Sequence, residues 1–277
     1  MPTDRYAVIG HPVDHSLSPD IHARFAAQTG EELVYGRIDA PEDGFAEAAT
    51  AFFAEGGRGL NVTVPFKAQA RAWCARASER AARAGVVNTL WREDGGRIAG
   101  DNTDGVGLVT DLTVNLGVSL ADARVLLIGA GGAARGVLGP LLAAAPAAIV
   151  IANRTAGRAT ELAADFASDG PVTGGGFDEL RDSAPFDVIV NASAASLGGA
   201  VPPVPDGVLR SHGTVYDMMY GDKARPFLDW GLAAHARLAV DGLGMLVEQA
   251  AESFAIWRGV RPDTGPVLAT LRARAEA

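Results

Sequence analysis

The chain has 277 residues, 48% hydrophobic and 21% charged, which is the composition of a soluble globular protein with room for one large or two ordinary domains. Its net charge of −9 argues against a nucleic-acid partner, which would ask for a basic face. A single cysteine, Cys74, excludes an internal disulfide and fits a reducing compartment, and the histidines show no metal-ligand spacing, so no metal is expected.

Met1–Arg5 leads directly into a strand-like Tyr6–Gly10, which leaves no signal peptide and predicts a cytoplasmic protein. Next comes His15-Ser-Leu-Ser-Pro-Asp20. Ser18 before Pro19 reads as the N-cap of a helix over Pro19–Gln28. The same geometry makes an anion site, because the Ser16 and Ser18 hydroxyls and a helix N-terminus suit a carboxylate. A strand at Leu33–Ile38, a helix at Phe45–Glu55 and a strand at Gly59–Val64 follow. If Asn61-Val-Thr-Val-Pro-Phe-Lys67 is extended, alternation puts Asn61, Thr63 and Lys67 on one face and Val62, Val64 and Phe66 on the other.

Lys67 stands out because only it and Lys223 are lysines among 24 basic residues. Arg remains protonated at any ordinary pH, whereas a partly buried Lys can pass a proton. The plain alternative is a solvated strand face carrying a chance Lys. Lys223 lies in a turn-like Gly221–Pro226 with no evident chemistry. A strand at Asn88–Trp91 precedes the polar turn Gly100-Asp-Asn-Thr-Asp-Gly105, where Asp104 alone reads as a turn or cap residue. A helix-like Val106–Leu116 comes next.

The second half opens on Ala123-Arg-Val-Leu-Leu-Ile-Gly129, a strand at Arg124–Gly129 running through Gly129-x-Gly131-x-x-Ala134 into a helix. In the dinucleotide fold the first glycine makes the turn and the second lets backbone approach the pyrophosphate. The third small residue permits close helix–strand packing, and the helix N-terminus faces the phosphates. The next strand, Ala148–Asn153, ends where an NAD enzyme carries an acidic residue for the ribose hydroxyls. This chain has Asn153-Arg154-Thr155, with Arg158 one turn further into a helix over Thr155–Phe166. Read alone, Thr155 is a helix cap and the arginines are solvated. The missing carboxylate favours a 2′-phosphate gripped by guanidinium, hence NADP.

Further strands are expected at Val188–Ala192, Thr214–Asp217 and Arg237–Val240, and helix through Gly242–Ala277. The apolar run Val137–Ala152 is interrupted by Gly139, Pro140 and Pro146, so it reads as helix end, turn and strand rather than a membrane span. The alternation of strands and helices predicts α/β layers with mostly parallel sheets.

The motifs Gly10-x-Pro12-x-x-His15-Ser-x-Ser18-Pro, Asn61–Lys67, Ala84-Gly-Val-Val-Asn88-Thr, Gly100–Gly105, Gly129–Ala133, Asn153–Thr155, Tyr216-Asp-Met-Met-Tyr220 and Asp241-Gly-Leu-Gly-Met-Leu-Val-x-Gln249-Ala together resemble those of the shikimate dehydrogenase family. They span nearly the whole chain in family order. The resemblance implies two α/β domains flanking a cleft, the second a Rossmann-type doubly wound parallel sheet. It puts the substrate-binding, catalytic domain at 1–103 plus 242–277 and the NADP-binding domain at 104–241. It also implies reversible reduction of 3-dehydroshikimate to shikimate by NADPH, in aromatic amino-acid biosynthesis.

Carried over by position, Ser16, Ser18, Thr63 and Tyr220 hold the substrate carboxylate, and Asn61, Asn88, Asp104 and Gln249 the ring hydroxyls. Lys67 is the acid/base group with Asp104 as partner. Gly129, Ala130, Gly131, Gly132, Ala133, Asn153, Arg154, Thr155 and Arg158 hold NADP. Met218 and Gly242 line the nicotinamide pocket, and Glu79 is associated with the cofactor. If the stretch from Gly242 is helical, Gly242, Met245 and Gln249 share one face. The alternative is a relative using quinate, or both acids, with NAD. The stretch Asn191-Ala-Ser-Ala-Ala-Ser-Leu-Gly-Gly199 departs from the family's usual Thr-Ser continuation. Small-molecule substrate is the only partner class expected, in a monomer or a homodimer.

Overall fold

The structure, a computed structural model, describes residues 3–275. The chain forms two compact units, one of Met1–Gly107 with Leu246–Ala277 and one of Leu108–Met245. Both divisions fall inside helices, whereas the sequence reading places them just ahead of those helices, at 103/104 and 241/242. Residues 1, 2, 276 and 277, at the ends of the expected first domain, lie outside the described residues.

The first unit runs β1 (Asp4–Gly10), α1 (Ser18–Thr29), β2 (Leu33–Asp39), α2 (Phe45–Ala54), β3 (Gly59–Val62), α3 (Lys67–Trp73), β4 (Arg76–Ala77), α4 (Glu79–Ala84), β5 (Thr89–Arg92) and β6 (Ile98–Asp101). The sheet order is β2-β1-β3-β5-β6-β4. It is mixed: β1 pairs in parallel with β2 and β3, while β5 is antiparallel to both β3 and β6. Helix α2 spaces Phe45, Ala49 and Phe52 by four and three residues. That puts all three on one face, buried against Ile9, Leu60 and Leu90 of the sheet.

Helix α5 (Asp104–Thr110) leads into the second unit, followed by β7 (Arg124–Ile128), α6 (Gly132–Ala143), β8 (Ala148–Ala152), α7 (Ala156–Phe166), β9 (Val172–Gly175), β10 (Phe186–Asn191), β11 (Leu209–Asp217), α8 (Arg225–Ala233) and β12 (Leu238–Asp241). Its sheet is entirely parallel, ordered β9-β8-β7-β10-β11-β12, the doubly wound order with its switch point between β7 and β10. Both faces are buried, which explains the continuous apolar strands. Val125 and Leu127 of β7 join one core with Val137 and Phe166, and Leu126 and Ile128 join another with Ile189, Val215 and Phe227. Helix α9 (Leu243–Arg258) returns the chain to the first unit, where α10 (Gly265–Ala275) ends it.

Several expectations need correction. Asn61–Lys67 is not one strand: β3 stops at Val62, Thr63 to Phe66 turn with the Phe66 N–H on the Thr63 carbonyl at 3.0 Å, and Lys67 opens α3. Val62 and Phe66 are buried, but Val64 is 52% exposed, so the proposed apolar face does not exist. Ser18 is the first residue of α1 rather than its cap; Leu17 is the cap and contributes no side-chain bond. Gly100 and Asp101 belong to β6 rather than to a turn. The helix after them starts at Asp104, whose N–H is accepted by the Asn102 side-chain oxygen at 3.1 Å in an Asx-type turn, and it widens to a π-helical turn over Asp111–Asn115. Gly242 precedes α9, so it is not on the helical face that carries Met245 and Gln249.

Candidate active site

In the first unit, the turn after β3 delivers Lys67 and the turn closed by the Asn102 side chain delivers Asp104. The Lys67 ammonium donates to Asp104 Oδ2 at 2.6 Å, with side-chain exposures of 17% and 6%. The other Asp104 oxygen accepts from Asn88 Nδ2 at 2.9 Å. Asn88 is the hub of the site. Its oxygen takes the Thr103 backbone N–H at 2.8 Å, and its amide nitrogen also lies 2.9 Å from Thr103 Oγ1 and 3.2 Å from Gln249 Oε1. An N–H can only donate and a carboxylate can only accept, so these contacts fix which way the amide points.

Asn61 joins the same buried network. Its Nδ2 donates to Ser253 Oγ at 3.0 Å and to the Asn88 carbonyl at 3.3 Å, and its Oδ1 accepts from the Tyr35 hydroxyl at 2.7 Å. Thr89, Thr103 and Ser253 complete it: Thr89 Oγ1 lies 2.8 Å from Ser253 Oγ, and Thr103 Oγ1 3.3 Å from Gln249 Oε1. Asn61, Asn88, Thr89, Thr103, Asp104, Gln249 and Ser253 are all buried. A buried polar group without a partner would cost about 1–3 kcal/mol, so the mutual satisfaction is what makes this cluster affordable. Below it, Arg80 grips both oxygens of Asp101 at 2.7 and 2.6 Å, and Asp101 accepts the Asn102 N–H at 2.7 Å, anchoring the segment that ends in Asp104.

Ser16 is half-buried and Ser18 is buried; Ser16 Oγ donates to Ser18 Oγ at 3.2 Å and accepts the Ser18 N–H at 3.3 Å. The capping-type bond therefore belongs to Ser16. Thr63 is held by its N–H on the Ile9 carbonyl at 2.9 Å. Its methyl packs where a Gly10 Cβ would collide with it, which explains the glycine of the Gly10-x-Pro12 motif. Glu79 is exposed in the first turn of α4, where the helix dipole favours a carboxylate.

In the second unit, Gly129 has φ +109°, and an added Cβ would lie 3.0 Å from the Ala192 carbonyl. Only glycine lets the turn after β7 lie against the segment after β10, at the switch point of the sheet. Gly131 and Gly132 are exposed at the start of α6, Ala130 and Ala133 are half-buried, and a Cβ on Gly131 would meet nothing within 4 Å. Asn153 is half-buried and donates to the Thr155 carbonyl at 2.9 Å. Thr155 caps α7 without a side-chain bond. Arg154 and Arg158 are exposed, and among the described residues neither forms an ion pair. An open glycine turn at a helix N-terminus, two uncommitted guanidiniums and no carboxylate at Asn153 fit a dinucleotide with a 2′-phosphate.

The missing Cβ of Gly242 makes room for the Met218 carbonyl, and the Gly242 N–H donates to the Met219 carbonyl at 2.8 Å. The divergent loop after β10 is tied down by its own serines. Ser193 Oγ donates to Asn191 Oδ1 at 2.7 Å and Ser196 Oγ to Asp217 Oδ2 at 2.6 Å, while Asn191 Nδ2 reaches Asp217 Oδ2 at 3.0 Å. Burial raises the Asp217 pKa, with the Ser196, Met219 N–H and Asn191 donors acting against the rise. Met218 and Tyr220 are half-buried in the segment that Asp217 starts, where its Oδ1 takes the Met219 N–H at 2.9 Å.

Sequence reasoning missed Tyr35, Thr89, Thr103 and Ser253. Thr89 and Thr103 sat inside recognised motifs, and Ser253 follows Gln249 by four residues, on the same helical face. Tyr35 carried no signal.

Three family models match the chain: the shikimate dehydrogenase substrate binding domain over residues 8–90, shikimate / quinate 5-dehydrogenase over 112–197, and the shikimate 5′-dehydrogenase C-terminal domain over 242–272. The chain is 58% identical to a shikimate dehydrogenase (NADP(+)) of Alkalilimnicola ehrlichii, over 98% of this chain and 99% of that protein. It is similar to the crystal structure of an Ael1 enzyme from Pseudomonas putida, with TM-score 0.88, 45% identity and coverage of 97% and 98%. Another similar structure is shikimate 5-dehydrogenase from Thermus thermophilus in complex with NADP(H) and shikimate, with TM-score 0.84, 32% identity and coverage of 98% and 99%.

Proposed function

The chain belongs to the shikimate dehydrogenase family, and from that premise we propose how its residues divide the work of the reaction. The protein is an oxidoreductase that reversibly reduces 3-dehydroshikimate to shikimate with NADPH, a step in aromatic amino-acid biosynthesis. Use of quinate or NAD is the less favoured alternative, given relatives named for NADP and shikimate.

When bound, the nicotinamide supplies or accepts the hydride. Hydride addition to a ring ketone leaves an alkoxide, and Lys67 as an ammonium gives it a proton; as an amine Lys67 takes the hydroxyl proton in the reverse direction. Asp104 orients the nitrogen and stabilises its charge. The observation that supports this is the Lys67–Asp104 contact of 2.6 Å, which uses one of three ammonium donors and leaves two for a substrate oxygen. Ser16, Ser18, Thr63 and Tyr220 hold the carboxylate, and Asn61, Asn88, Asp104 and Gln249 the ring hydroxyls. Gly129–Ala133 at the head of α6 take the pyrophosphate, Asn153–Thr155 and Arg158 the 2′-phosphate, and Met218 and Gly242 the nicotinamide side, with Glu79 also associated with the cofactor. Residues 1–103 with 242–277 serve the substrate and 104–241 serve NADP.

The protein works in the cytoplasm on small molecules. The one cysteine, free and buried, supports a reducing compartment, and among the described residues no helix is long and apolar enough to cross a membrane.

Lys67→Ala tests the proton transfer. At saturating substrate kcat falls by at least about 10²-fold with a modest change in KM. Near-normal kcat would remove Lys67 from the chemistry.

A further inference from the structure

The Asn61 amide is held at both ends. The Asn88 backbone carbonyl lies 3.3 Å from Nδ2, and a carbonyl can only accept, so the NH2 group must face it. Ser253 Oγ at 3.0 Å and Thr89 Oγ1 at 3.3 Å take up the same group. The two N–H bonds of Asn61 are thus spent inside the protein. What remains is its oxygen, where the Tyr35 hydroxyl donates at 2.7 Å and uses one of two lone pairs.

Tyr35 is itself positioned. Its ring stacks on His22 with centroids 4.2 Å apart and planes within 6°, and His22 packs among Phe25, Phe254 and Trp257. His22 is fully buried, and among the described residues neither ring nitrogen has a hydrogen-bond partner, so it serves as a flat plate rather than as a polar group. Burial lowers its pKa to about 3, which keeps the plate neutral. Burial raises the Tyr35 pKa well above its usual value, with Ser18 and Arg37 opposing, so the phenol remains a donor at working pH. Two residues along the same strand, on the same side, Arg37 donates to the Ser16 carbonyl at 2.7 Å. Strand β2, which contributes no residue to the family motifs, therefore supports both the carboxylate anchor and a hydroxyl anchor.

We propose that Tyr35 is a substrate-positioning and specificity residue: with the amide orientation set by the Asn88 carbonyl, its donation to Asn61 Oδ1 holds that oxygen in place and leaves its other lone pair as an acceptor toward substrate. The inference rests on the assignment of Asn61 to a ring hydroxyl. An acceptor-only Asn61 takes a hydroxyl at that ring position and rejects an ether or a carbonyl there, neither of which can donate. Oxidation at this position is disfavoured for the same reason, so Tyr35 helps to decide which ring oxygen is presented to Lys67.

The test is Tyr35→Phe, which keeps the ring over His22 and removes only the hydroxyl. Steady-state kinetics of the full chain are measured with shikimate and with analogues in which each ring hydroxyl in turn is removed or O-methylated. KM for shikimate rises about tenfold, the loss of one hydrogen bond to a buried amide. The kcat and its pH profile stay within about twofold, because Lys67 is untouched. The discrimination against the analogue altered opposite Asn61 shrinks in the variant, and against the other analogues it does not. Tyr35→Met, apolar but differently packed, gives the same pattern and separates hydroxyl loss from repacking. An unchanged KM and unchanged analogue discrimination overturn the proposal, as does a loss of kcat in step with a loss of folded protein by circular dichroism. Asn61→Ala is the control on the premise: if it leaves KM for shikimate at the wild-type value, the assignment of Asn61 has failed, and the role of Tyr35 falls with it.

Discussion

The two units solve opposite problems. In the first, polar side chains are buried and satisfied by one another, from Lys67 and Asp104 through Asn88 to Gln249. In the second, Arg154 and Arg158 stand exposed and, among the described residues, without ion pairs beside an open glycine turn. The proton-transfer role proposed for Lys67 requires one geometry before the reaction, which burial with fixed hydrogen bonds provides. An anion grip can remain solvated, because a doubly charged phosphate brings its own organising field. The difference predicts that changes in the first unit disturb folding and chemistry together, whereas changes at the arginines disturb binding alone.

The strongest way to break this contrast is Asn88→Ala. It leaves the Thr103 N–H and an Asp104 oxygen without their partner, which costs about 2–4 kcal/mol of stability. Denaturant unfolding checks this; a loss under about 0.5 kcal/mol would mean that the network is not what holds the site. Arg154→Ala has a smaller effect of a different kind. Titration by nicotinamide fluorescence gives a roughly tenfold weaker NADPH complex and nearly unchanged NADH binding, with no shift in the unfolding midpoint. Equal weakening of both cofactors would reduce Arg154 to a structural role.

A pH-dependent effect concerns His22, a buried group that serves neither chemistry nor charge. Its folded-state pKa is about 3, below the ordinary 6.5, so between these values the unfolded chain binds a proton that the folded chain refuses. Stability from this residue is therefore full above pH 6.5 and falls as pH drops through that window, by up to about 1.4 kcal/mol per pH unit. His22→Phe keeps the ring stack and is neutral or slightly stabilising at pH 7. It also flattens the loss of stability between pH 7 and 5. The same acid sensitivity in wild type and variant would assign the protonation to other groups.

The second unit was the more legible from the chain. Its strands are buried on both faces, so Val125–Ile128 and Ile149–Ala152 read as continuous apolar runs, and the glycine turn at Gly129 has a local backbone reason. The first unit was less so. The short β4, and β6 with its Gly100 and Asp101, carry too little apolar pattern to be seen, as does β9 in the second unit with two glycines. Alternation carries the expected strand on to Val64 because it cannot register the turn at Thr63–Phe66, where β3 has already ended at Val62.

The residue types of the candidate site, the order of the motifs and the preference for NADP over NAD were all legible in the sequence alone, since each depends on side-chain identity or local backbone. Which side chains meet depends on the tertiary structure; of these contacts the sequence offered only the Lys67–Asp104 pairing, and that through the family resemblance. Lys67 finds Asp104 across 37 positions and Asn88 finds Gln249 across 161, distances in sequence that no local rule spans. Tyr35 had no motif, yet its hydroxyl lies on Asn61, because strand order places β2 and β3 on either side of β1 and brings a side chain from each to the same amide. The roles of Gly10 and Gly242 likewise came from neighbours far along or across the chain, Thr63 and Met218, whose packing leaves no room for a Cβ.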